Sequence, residues 1–155
     1  MRFARLETDG LALGDANCFF SNALGCEAAL VTRDQQLVLL RRSGAVATHH
    51  GLYNGPSGHP EPSKMASASA EAAVRELFAS VVEEIALETG AAAAALSAPR
   101  LLGVMADKNR KPDLLFLVHT KLTAEELRGG LEKAEERWES DQLRRSGANP
   151  RMESQ

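Results

Sequence analysis

Apolar positions along this chain recur with two different periods. From Glu71 to Thr89, the residues Val74, Leu77, Phe78, Val81, Val82 and Ile85 return every three or four positions, the spacing of one buried helical face. Gly90 follows as a natural helix stop. Elsewhere the apolar runs are short and compact: Glu27 to Thr32, Gln36 to Arg41, Leu101 to Met105 and Leu114 to Thr120. Arg33-Asp34-Gln35 separates the first pair and the polar segment from Asp107 to Asp113 separates the second, so each pair predicts a β-hairpin. Thr123-Ala124-Glu125-Glu126 opens a further helix with a capping box, and that helix is expected to run to about Trp138.

The ends of the chain carry weaker patterns. Met1 to Asn22 has no clear period and is expected to be irregular, and the polar chain after Leu143 is expected to fray. The organisation read from the sequence is therefore a domain over 23–140, preceded by an irregular segment 1–22 and followed by a polar, disordered tail 141–155. Strands, loop, helix, strands and helix in that order predict the α/β class, a sheet covered by helices.

Between the first hairpin and the long helix lies a stretch of a different kind. Gly51, Gly55, Pro56, Gly58, Pro60 and Pro62 crowd a short span, which excludes a regular helix and demands a particular backbone path. Leu52-Tyr53-Asn54 has room for a brief strand there. Loops so punctuated often carry function.

Composition narrows the class without naming it. A chain of 155 residues, 44% of them hydrophobic, suffices for one domain with a core. A net charge of -3 gives no reason to expect nucleic acid held by bulk electrostatics, yet leaves open a small phosphorylated ligand neutralised locally. The apolar runs are too short to span a bilayer. Met1 to Gly14 lacks the basic region and apolar block of a secretory signal, and Cys18 and Cys26 form no spaced framework. The expectation is a cytoplasmic protein with reduced thiols, Cys26 being a small buried hydrophobe.

On the long helix, Glu76, Ser80, Glu84 and Glu88 stand four apart and line one edge, with Glu83 beside it. No lysine or arginine stands four residues away to offset them, so the carboxylates repel, at roughly a few tenths of a kcal/mol per pair. A divalent cation would relieve that repulsion. Magnesium prefers oxygen ligands and often takes only one or two protein carboxylates. A solvated acidic face is the plain alternative.

The stretch Glu83-Glu84-Ile85-Ala86-Leu87-Glu88-Thr89-Gly90-Ala91 resembles the second half of the Nudix signature, which runs from a glycine-initiated loop through a glutamate to Arg-Glu-hydrophobic-x-Glu-Glu-x-Gly-hydrophobic on a helix. Glu84 and Glu88 match metal-binding glutamates, whereas Glu83 replaces the arginine and Leu87 another glutamate. The first-half glutamate is missing, since counting back eight residues from Glu83 reaches Arg75. A wider string extends the likeness: Leu40-Arg41-Arg42-Ser43, Gly51-Leu52, Gly58-His59-Pro60-Glu61-Pro62 and Glu76-Leu77-Phe78. Together these resemble the UDP-sugar-hydrolysing branch of the Nudix superfamily, over about residues 24 to 128.

That resemblance implies a Nudix-type α/β/α sandwich with a mixed sheet. It implies magnesium-dependent hydrolysis of the pyrophosphate of UDP-glucose or UDP-galactose to UMP and sugar 1-phosphate, with manganese as a substitute ion. Glu84 and Glu88 would hold the metal and supply the catalytic carboxylates. Arg42, Ala47, Asn54, His59 and Glu61 fall on substrate-contacting positions, Ala47 through backbone or packing alone. Glu76 has no matching metal role and reads as a supporting or surface residue. The implied partner is a nucleotide sugar, with neither nucleic acid nor membrane. Family proteins are longer at both ends, so the comparison also implies a shortened chain. A Nudix hydrolase of another nucleoside diphosphate derivative, and an inactive Nudix-like binding module, are the competing readings.

The residue types suit this chemistry. A pyrophosphate repels an incoming nucleophile, and an arginine fork matches phosphate oxygens in geometry and charge. A carboxylate beside the reacting water can take its proton, with Glu84 and Glu88 equally placed as candidates.

Overall fold

The computed structural model describes residues 2–15, 18, 23–43, 51–106, 111–131, 134 and 140–147, with backbone alone at 2–4 and 140–147. Helix α1 (Arg2–Ala12) is followed by strands β1 (Gly25–Val31), β2 (Gln36–Arg42), β3 (Tyr53–Asn54) and β4 (Ser57–Gly58). Helix α2 (Ala70–Thr89), strands β5 (Arg100–Ala106) and β6 (Pro112–His119), helix α3 (Ala124–Leu131) and strand β7 (Ser140–Gly147) complete the order. The strands form one seven-stranded sheet in the order β3-β2-β1-β6-β5, with β4 on β1 and β7 on β2. It is mixed: β1 runs parallel to β6 and antiparallel to its other partners.

Both hairpins expected from the sequence are present, as β1–β2 and β5–β6. The first is not a simple ladder. β1 and β2 meet at Val31 and Leu37, beside the turn, and then take different partners. Further along, β2 pairs with β3 at Leu40 and Arg41, while β1 pairs with β4 at Cys26 and Glu27. The segment from Tyr53 to Gly58 therefore links the diverging strands. It is pinned by Ala28 N–H donating to the Pro56 carbonyl at 2.8 Å and by Gly55 N–H donating to the Glu27 carboxylate at 2.9 Å.

β1 alternates buried Cys26, Ala28 and Leu30 with half-buried neighbours, the pattern of a strand with one face on the core. α2 packs on that face. Val81 and Ile85 join Leu30, Val38, Leu40, Phe116 and Val118 in one cluster, and Leu127 of α3 completes it. Phe78 meets Phe116 edge to face, with ring centroids 5.1 Å apart. Ser69 caps the start of α2 by accepting from Ala72 N–H, and Gly90 ends it in the left-handed region at φ 71°.

The structure corrects several sequence expectations. The segment expected to be irregular contains α1. Phe3 and Leu6 stand three apart, but so few apolar positions make a weak stripe, while Arg, Leu, Glu and Ala favour the helix intrinsically. The tail expected to be disordered begins instead with β7, paired with β2 from Gln36 to Arg42. Its sequence, Ser-Asp-Gln-Leu-Arg-Arg-Ser-Gly, carries no apolar alternation, so only the backbone ladder makes it a strand. α3 ends at Leu131, short of the expected Trp138, which lies outside the described residues.

Candidate active site

The acidic edge of α2 does not face water as a plain charged stripe would. Glu76 is 9% exposed, Ser80 3% and Glu88 3%, whereas Val74 of the expected apolar face is 53% exposed. The buried face is thus rotated toward the glutamates. Burial of a carboxylate is costly without a compensating partner, so this placement calls for an explanation from the neighbouring chain.

That neighbour is the segment after β4. Gly58 lies against the carboxylate of Glu84, and any Cβ at position 58 would overlap both oxygens. The alternation of β1 explains the approach. Cys26 faces α2, its thiol 3.7 Å from the Ser80 hydroxyl, and Gly58 is the residue paired with Cys26. The absent side chain at 58 leaves space that Glu84 fills. Burial pushes the Cys26 thiol pKa above its ordinary value, and the nearby Glu84 carboxylate adds to the effect.

Beyond Gly58 the chain stays on α2. Glu61 N–H donates to the Glu76 carboxylate at 3.1 Å. A short 3-10 turn over Pro62–Lys64 then brings the Lys64 ammonium to Glu83 at 2.8 Å and to Glu61 at 3.1 Å. These two carboxylates, Glu83 first, hold the Lys64 pKa above its ordinary range. The signature residue that should be arginine is Glu83, and its ionic partner is a lysine from the loop.

Glu84 and Glu88 lie one helical turn apart on α2, Glu84 half-buried and Glu88 buried. His59 is exposed beside Gly58, and the exposed Glu61 carboxylate is engaged by Lys64. Arg42 ends β2, where its N–H donates to the Leu52 carbonyl and its carbonyl accepts from Gly51 N–H, both at 2.9 Å. Asn54 sits in β3 opposite Leu40, and its amide donates to the Ser57 hydroxyl at 2.8 Å. His59 and Glu61 thus lie on the short loop whose neighbouring Gly58 rests on Glu84 of α2. Arg42 and Asn54 are placed by the β2–β3 pairing, and Ala47 lies outside the described residues.

No group of three or more His, Cys, Asp or Glu disposed to hold a metal is present among the described residues. A two-carboxylate edge nonetheless fits a hard cation that draws its remaining ligands from water and phosphate. The Glu84 oxygens held in the space over Gly58, with Glu88 one turn away, supply such an edge. Sequence reasoning missed Lys64, Gly58 as the packing partner of Glu84, and Glu27 as the acceptor for the linking segment. Nothing local marks Lys64, which stands nineteen positions from Glu83.

The fold and this acidic helix edge define a Nudix-type domain. A Nudix hydrolase from Alicyclobacillus acidocaldarius superposes with a TM-score of 0.53 at 12% identity, covering 83% of this chain and 80% of that one. A MutT Nudix hydrolase from Burkholderia pseudomallei gives 0.50 at 22% identity, covering 81% and 82%. No family model matches the chain. In sequence, it is 38% identical over 125 residues to the uridine diphosphate glucose pyrophosphatase NUDT22 of Bos taurus, covering 74% of this chain and 43% of that protein. The Mus musculus protein of the same name is 40% identical, covering 74% and 41%. Nudix hydrolase 9 of Arabidopsis thaliana is 29% identical over 137 residues, covering 79% and 44%. The chain belongs to the Nudix hydrolase superfamily, and its sequence is similar to the UDP-glucose pyrophosphatase branch. It spans less than half the length of these curated relatives.

Proposed function

We propose that this chain hydrolyses the pyrophosphate of a UDP-sugar, UDP-glucose or UDP-galactose, releasing UMP and a sugar 1-phosphate with the help of magnesium. The observation that carries the reading is the pair Glu84 and Glu88, set one turn apart on the buried edge of α2 with Gly58 against the first. The similarity to UDP-glucose pyrophosphatases over most of the chain supports the substrate class.

In this reading Glu84 and Glu88 hold the cation, and one of them takes the proton of the attacking water. When bound, magnesium neutralises the non-bridging oxygens and acidifies water. Arg42 offers a fork to phosphate oxygens, and Asn54, His59, Glu61 and Ala47 contact the substrate. The water oxygen bonds to one phosphorus as its bond to the bridging oxygen breaks, and that oxygen leaves on the other phosphate, so one water gives UMP and sugar 1-phosphate.

The test is UMP release from UDP-glucose and UDP-galactose by the purified chain with excess magnesium or manganese and with chelator. Turnover that requires the ion, and falls by about 100-fold or more in Glu84→Gln or Glu88→Gln, is expected. Turnover of ADP-ribose or a dinucleotide but not of UDP-sugars would move the assignment to another nucleoside diphosphate derivative. Absence of turnover on the whole panel would leave a binding module in place of an enzyme.

A further inference from the structure

The segment from Gly58 to Lys64 forms an arch along α2. One foot, Gly58, rests on Glu84, and the other, Lys64, is fastened to Glu83, so both stand on the same helical turn. The crown, at Glu61, is fastened to Glu76. At a rise of about 1.5 Å per residue, the crown lies roughly 11 Å along the helix from the feet.

The sequence gives the crown a single means of attachment. Pro60 and Pro62 carry no backbone N–H, so Glu61 owns the one amide donor of the run Pro60-Glu61-Pro62. That donor goes to Glu76, a carboxylate 9% exposed. Lys64 meanwhile bridges crown and foot, reaching Glu61 and Glu83 together. A solvent-exposed ion pair adds little to global stability, so its bearing is on local geometry. The geometry at stake is that of Glu84, whose carboxylate occupies the space left open over Gly58.

We propose that Glu76 and Lys64 are positioning residues, which fasten the crown and far foot of the arch and so hold Gly58 and His59 in register with Glu84. The assignment rests on the reading of Glu84 and Glu88 as the metal edge, but the arch can be tested apart from it. Glu76 acts through the amide of Glu61 and Lys64 through Glu83, and neither touches the reacting atoms.

The experiment is residue-resolved amide exchange on the full chain without metal or substrate, followed by kinetics with UDP-glucose. Glu76→Ala is expected to speed exchange at the Glu61 amide by about tenfold or more, and Lys64→Met to speed it across residues 58–64. Glu76→Gln, which keeps an acceptor, and Lys64→Arg, which keeps the charge, are expected to restore protection. Turnover number in the two disruptive variants should fall by about 10- to 100-fold, with KM and melting temperature changed far less. The reversed pair Lys64→Glu with Glu83→Lys should recover more activity than either single change. Arg75→Ala, exposed on the same helix, serves as the silent control. Unchanged exchange in Glu76→Ala and Lys64→Met would overturn the proposal, as would an equal fall in activity for the conservative variants. If the wild type turns over no UDP-sugar, the functional reading fails while the exchange result still decides the arch.

Discussion

Gly58 and Glu84 are matched as a hydrogen and a carboxylate that occupy one space. The Glu84 carboxylate reaches over Gly58, and its oxygens fill the place a methyl group at position 58 would take. Gly58→Ala should therefore turn the Glu84 carboxylate aside. The expected stability change is small, because the displaced group is the carboxylate end of a flexible, half-buried side chain. Weaker binding of manganese should accompany it. Urea unfolding and calorimetric titration with the ion measure the two effects, and an alanine variant with wild-type ion affinity would remove this contact from the site.

A second long-range contact secures α3. Asp34, in the turn between β1 and β2, accepts from the Ala124 N–H at 3.0 Å, although ninety positions separate the two. Asp34→Ala should cost about 0.5–2 kcal/mol, as for the loss of a helix-capping acceptor. The measurement is chemical denaturation at neutral pH, with Asp34→Asn as the variant expected to retain most of the stability.

Glu126 completes the capping box expected from the sequence. Its carboxylate accepts from the Thr123 N–H at 2.7 Å and from the Thr123 hydroxyl at 3.0 Å, and these bonds depress its pKa. A carboxylate with a lowered folded-state pKa stabilises the fold above its unfolded value, about 4.3. That contribution fades below this pH and is lost as the pH falls through the folded value. The melting temperature of Glu126→Gln should thus lie below that of the wild type at pH 7, and the gap should close in acid. A gap that widened in acid would contradict the assignment.

The two thiols should separate cleanly in a labelling experiment. Cys18 is exposed, while Cys26 is buried with its pKa raised by desolvation. Iodoacetamide at pH 7.5 should modify Cys18 quickly in the folded protein and Cys26 only after denaturant is added. Mass spectrometry of the labelled peptides reads the order directly.

Much of this architecture was legible because its signals are local. The three-and-four spacing in α2, the short apolar runs of β1, β2, β5 and β6, and the Thr123 capping box each sit within one element. The elements that the sequence did not announce are those with few apolar residues to show a period. α1 has a sparse apolar pattern, and β7 is polar along its length and owes its form to pairing with β2. The acidic edge was found by spacing, but its environment was not. Spacing predicts that Glu76 and Glu88 share an edge; it does not say that this edge dips toward β4 and becomes buried.

By itself the sequence determined the α/β class, the long helix and the shared edge of Glu76, Ser80, Glu84 and Glu88, since these follow from residue type and period along one stretch of chain. Only the tertiary structure decided what surrounds them. The divergence of β1 from β2, the rest of Gly58 on Glu84, and the return of Lys64 to Glu83 depend on contacts between residues 19 to 32 positions apart. Such contacts leave no periodic trace, because the energy that selects them is gained only when the sheet and the helix have already met.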